Sequence, residues 1–126
     1  MREIAFIEIV KKICAKDEHY DMEAYIFMRE ALDYTIKKLE KPDKGPDRHV
    51  SGQELAEGIR KYALEQFGPI TFKVLSSWGI HRTEDFGEIV FNLVNAGELG
   101  KTDDDKRDDF NDSYDFYEVF KKPFLP

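Results

Sequence analysis

Apolar side chains recur at helical spacing in five separate runs along this chain, and each run ends in a polar, glycine or proline break. In residues 3–16, Phe6, Ile9, Val10 and Ile13 share one side while Glu8, Lys11 and Lys12 lie elsewhere, so an amphipathic helix is expected. Residues 22–40 carry the strongest pattern. Tyr25, Met28, Leu32, Thr35, Ile36 and Leu39 form one stripe, and Ala24, Phe27, Ala31 and Tyr34 widen it. A face that wide predicts contact with two neighbours and a central place in the packing. Leu55, Ile59, Tyr62, Ala63 and Phe67 make a third stripe. Phe72, Leu75 and Trp78 make a short fourth, and Phe86, Ile89, Val90, Leu93 and Val94 make a fifth within Thr83 to Ala96.

The breaks are as informative as the stripes. Asp21 is a good cap for the second helix, and Ser51 with Glu54 three residues later is a capping box for the third. Gly68-Pro69 stops one helix and starts the next, because proline lacks an interior N–H but is preset for a first turn. Gly79 and Gly97 are placed to end the fourth and fifth helices, and Glu84 and Asp85 put negative charge at the fifth helix's positive end. Gly58 and Gly87 lie inside helices, where each costs up to about 1 kcal/mol against alanine. A close crossing with no room for a Cβ would justify that cost.

The expected fold is mainly α, one domain over 1–126. It divides into a helical pair at 1–40, a loop at 41–50, a three-helix unit at 51–99 and a wing-like loop and tail at 100–126. After Gly97 the helical period is lost. Leu99-Gly100-Lys101-Thr102 suits a short strand, and Tyr114-Asp115-Phe116 alternates as a strand would, although Tyr117 to Phe120 fits a last helical turn equally well. Three helices and an extended return predict a small C-terminal β-hairpin or extended segment, winged-helix-like in topology.

The runs Arg48–Gly68 and Ser77–Thr102 resemble the core of a family of short uncharacterised bacterial proteins of the planctomycete and verrucomicrobial type. The resemblance continues into YDMEAYIFMREALDYT near the front and YDFYEVF at the back. It implies no activity, cofactor or residue role.

Composition narrows the function. Of the 126 residues 41% are hydrophobic, with ten Phe, six Tyr and one Trp, enough for a core that offsets chain entropy. The net charge of −7 is concentrated at the C-terminal end, where 98–126 alone carries −4, and this opposes phosphate backbones and anionic membranes as partners for that end. The single cysteine, Cys14, excludes an intrachain disulfide and sits in an apolar pattern, as a buried, inert thiol would. Charged residues interrupt MREIAFIEIVKKIC and no run approaches a membrane span, so a cytoplasmic protein is expected.

Candidate chemistry is sparse. His19, His49 and His81 lie far apart, with no second ligand at zinc spacing. The acidic run Asp103 to Asp112, read as a calcium loop from Asp103, puts Asp108 where glycine belongs and Tyr114 where glutamate belongs. With no nucleophile elbow, phosphate loop or HExxH, neither a cofactor nor an enzyme is expected. The leading expectation is a non-catalytic protein-interaction or regulatory module with a protein partner. Its candidate contact is the turn region of Trp78, His81, Arg82 and Asp85, where an arginine stands near an aromatic. The alternative is a winged-helix-type nucleic-acid regulator using the basic stretch Lys37, Lys38, Lys41, Lys44 and Arg48. Nucleic acid is disfavoured because the fifth helix shows Glu84, Asp85, Glu88, Asn92 and Asn95 and no Lys or Arg. An enzyme of unrecognised type comes third.

Overall fold

A computed structural model describes residues 2–42, 50–97 and 107–126. Five α-helices carry the fold: α1 Arg2–Lys16, α2 Met22–Lys38, α3 Gly52–Phe67, α4 Thr71–Ser77 and α5 Thr83–Asn95. α2 is the hub expected from its wide apolar face. It packs on α1, α3 and α5, and buries Ala24, Tyr25, Phe27, Met28, Ala31, Thr35 and Ile36.

The predicted punctuation is where the helices begin and end. Asp21 accepts from the Glu23 N–H, and Ser51 and Glu54 close a reciprocal capping box at 3.0 Å each way. α4 ends in a Schellman motif: Gly79 N–H donates to the Ser76 carbonyl and Ile80 N–H to the Leu75 carbonyl, with Gly79 at φ +89°. α2 stops at Lys38, two residues short of the expected 40, through the same motif. Glu40 takes φ +54°, and Lys41 N–H reaches back to the Ile36 carbonyl. Pro42 lies just beyond and blocks any continuation of the helix past Lys41.

α2 and α3 cross closely at the predicted glycine. A Cβ on Gly58 would stand 2.8 Å from Thr35 Cβ and collide with Thr35 Oγ1, which itself donates to the Ala31 carbonyl. The core continues through Leu55, Ile59, Leu75, Phe86, Ile89 and Leu93 to Phe110, Phe116 and Phe120. Gly87 is buried in α5.

The C-terminal expectation needs correction. Among the described residues there is no strand, so the β-hairpin and the winged-helix-like second half find no support. The tail is a series of short turns instead: 3-10 at Arg107–Phe110, π at Tyr117–Lys121 and 3-10 at Lys122–Phe124. Burial explains the choice. Phe116 and Phe120 are four residues apart and both buried, their rings 5.0 Å from each other, which a helical turn permits and a strand does not. The strand predicted at Leu99–Thr102 lies outside the described residues.

Candidate interaction surface

The turn Trp78–Thr83 is a joint between the two halves of the chain. Trp78 is half-buried, its ring 5.6 Å from Phe27 and 5.7 Å from Phe67. Its carbonyl accepts from the Asp21 N–H at 3.1 Å, and the His19 carbonyl lies against Gly79. Asp85 completes the joint. One carboxylate oxygen takes the Tyr20 hydroxyl at 2.6 Å, and the other takes the N–H groups of His81 and Arg82 at 2.8 and 3.2 Å. Burial and then the Asp85 hydrogen bond push the Tyr20 phenol well above its ordinary range. Of the four residues expected to meet a partner, Trp78 and Asp85 are therefore engaged inside the molecule. His81 and Arg82 stand on its surface.

The outer positions of α5 are similarly occupied. Glu84 accepts from the Asp112 N–H at 3.3 Å, and the Asn92 amide donates to the Tyr25 hydroxyl at 3.0 Å. A helix whose polar groups serve its own chain is poorly disposed to read bases.

The basic stretch divides. Lys37 and Lys38 are exposed on the last turn of α2, and Lys41 lies 3.8 Å from Glu54; Lys44 and Arg48 lie outside the described residues, as does His49. Lys38 and Lys61 border a groove of about 310 Å³ between α2 and α3, floored by Thr35 and Gly58. The carboxylates on its edge are already engaged: Glu57 takes both oxygens to Arg60, and Glu54 serves the α3 cap and Lys41.

Cys14 is half-buried with its Sγ 3.8 Å from the Tyr20 carbonyl, and burial, reinforced by Asp21 and Asp17, raises its thiol pKa. A thiolate nucleophile is disfavoured there. No group of three or more His, Cys, Asp or Glu side chains is placed to hold a metal among the described residues, and no helix there is long and apolar enough to cross a membrane.

The feature that spacing did not reveal is at the C-terminal end. Ile70 is 57% exposed, Tyr117 45%, Phe124 42% and Leu125 47%. They come from turns that pack together: the π turn meets both the Gly68–Ile70 turn and α4, and runs directly into the Lys122–Phe124 turn. Lys121 caps this end with its ammonium 5.2 Å from the centre of the Phe72 ring. Four large apolar side chains thus share one end of the molecule. No family model, curated protein or solved structure matches the chain. The residue-level geometry is therefore what bears on function.

Proposed function

We propose that this protein is a non-catalytic interaction module whose contact face is the C-terminal end, Ile70, Tyr117, Phe124 and Leu125, and whose partner is another protein. The exposure of those four side chains on mutually packed turns carries the reading. Apolar surface gathered at one place costs solubility without adding to the fold, and on a soluble chain it marks a place where another surface covers it. Its aromatic and aliphatic content is also that of interface anchors. The Trp78 to Asp85 turn supports the reading only indirectly: it holds α4, and with it this face, against the α1–α2 connection.

The test is a comparison of partner recovery by the wild-type protein and by Ile70→Asp/Leu125→Asp. Both positions are exposed, so the double variant is expected to keep its far-UV circular dichroism. A stoichiometric protein recovered by the wild type and lost by the folded variant is the expected outcome. Equal recovery by both would assign the contact to another face.

A further inference from the structure

We infer that the partner segment seated on this C-terminal face is an acidic amphipathic peptide, an inference that rests on the interaction reading above. The charge around the face has the opposite sign to the charge of the molecule. The turn Gly68–Ile70, α4, the π turn and Lys122–Phe124 carry the charged side chains Lys73, Lys121, Lys122 and Glu118, a net of +2. The whole chain carries −7, so every other side chain together carries −9. Glu118 is the one carboxylate on those turns, and it lies 3.3 Å from Lys122, its charge already met. Lys73 and Lys121 are both exposed. The C-terminal end is acidic as a stretch of sequence, but its acids belong mainly to 98–112, and the last turns are basic.

This arrangement favours one occupant over two others. An acidic segment meets net positive charge on these turns beside exposed apolar residues, with Lys73 and Lys121 both exposed, so local charge favours its docking over the apolar residues it would then cover. A second copy of the chain docking face to face would set lysines against lysines. An anionic membrane extends well beyond a patch this small and meets the field of the whole chain, whose net charge is −7. A peptide is narrow enough to touch only the basic face. Apolar residues on one side of it would rest on Ile70, Tyr117 and Leu125, and carboxylates along its edges would meet Lys73 and Lys121. That is the helix-in-groove or strand-like recognition that short segments use.

The experiment uses the full chain and three fluorescein-labelled peptides of one length and one leucine stripe, with polar positions filled by Glu, by Gln or by Lys. Binding is read by anisotropy, and independently by the fluorescence of Trp78, whose ring contacts Phe67 one residue before the Gly68–Ile70 turn. The Glu peptide should bind at least about tenfold tighter than the Gln peptide at low salt, with the gap closing as salt screens the lysines, and the Lys peptide weakest. Lys73→Glu/Lys121→Glu should reverse that order while the far-UV spectrum is unchanged. Equal binding of the Glu and Gln peptides, both abolished by Ile70→Asp/Leu125→Asp, would overturn the acidic partner and leave the contact face standing. Binding of no peptide would overturn both. Binding of phosphatidylserine vesicles with the same lysine dependence, in place of the Glu peptide, would overturn the peptide in favour of a lipid surface.

Discussion

Gly79 stands at φ +89° with the His19 carbonyl pressed against the side where a Cβ would be, so two separate penalties await any substitution there. Gly97 has almost the same φ, +83°, and among the described residues no atom beyond its chain neighbours lies within 4 Å of its Cβ position. The pair is a built-in control. Gly97→Ala should cost only left-handed strain, about 1–2 kcal/mol, while Gly79→Ala should cost clearly more, with the urea midpoint lower and the slope unchanged. Equal losses would show that the α1–α2 connection gives way freely at His19. Two residues back, His19 and Asp17 form an exposed pair at 2.5 Å. The hydrogen bond to Asp17, then its charge, raises the imidazole above its ordinary 6.5, and backbone and side-chain hydrogen bonds from His19 lower the Asp17 carboxyl below its ordinary 3.8. A raised histidine gives stability that is present below 6.5 and lost as pH climbs through the raised value. A depressed aspartate gives stability that is lost as pH falls through the depressed value. The pair therefore contributes in full between the ordinary values, 3.8 and 6.5, and its contribution fades beyond them until it is gone past the two shifted values. An NMR titration should place His19 above its ordinary 6.5, and Asp17→Asn should lower it.

At the scale of elements, what was legible in the sequence is what depends on neighbours three or four residues away. The five helices announce themselves because stripes such as Leu55-Ile59-Tyr62-Ala63-Phe67 need only local periodicity, and their ends because Asp21, Ser51, Glu54 and Gly79 act on backbone groups within one turn. The tail was not legible, because three alternating residues from Tyr114 to Phe116 fit either period, and the choice was made by burial of Phe116 and Phe120 in the core, where Phe116 meets Phe86 of α5. The proposed contact face was not legible for the same reason. Asp85 looks like a surface cap until Tyr20, 65 residues earlier in the chain, is found on its other oxygen. Ile70 and Tyr117 become neighbours only through packing of their turns. Gly58 sits between the two cases, since its cost inside a helix flagged a crossing without naming the partner. The partner is Thr35, and that makes a prediction about the α2–α3 contact. Gly58→Ala gains up to about 1 kcal/mol of helix propensity but must displace a buried threonine held to the Ala31 carbonyl, so a net loss of stability is expected. Thr35→Ala removes two of the three obstructing atoms, Oγ1 and Cγ2, and leaves Cβ. In a double-mutant cycle by urea denaturation, the pair should therefore lose less than the two single changes add up to. Additive losses would mean that the helices separate freely at this crossing.

For the whole molecule the question is whether the last turns belong to the core or hang from it. Phe120 is fully buried and edge-on to Tyr114 and Phe116, and Phe116 in turn lies 5.5 Å from Phe86 in the first turn of α5. Two hydrogen bonds run alongside the rings: Tyr114 hydroxyl to the Ala56 carbonyl on α3 at 2.9 Å, and Ser113 N–H to Thr83 Oγ1 at the start of α5 at 3.1 Å. The tail thus bridges α3 and α5, while its outer side carries the exposed Tyr117, Phe124 and Leu125 of the proposed contact face. If the bridge is structural, Phe120→Ala leaves a cavity within the same core that seats Leu93 and Leu75, at a cost of about 3–5 kcal/mol. Against a total stability of roughly 5–15 kcal/mol for a domain of this size, that is a large share. Two probes on different parts of the molecule decide the matter. Trp78 fluorescence follows the aromatic cluster of α2, α3 and α4, and far-UV circular dichroism follows the helices as a whole. A tail that belongs to the cooperative core shifts both urea transitions of Phe120→Ala together and to the same lower midpoint. A tail that only leans on the helices leaves the Trp78 transition where it was. In that case Ile70 would lose its neighbours on the contact face long before the helices melt.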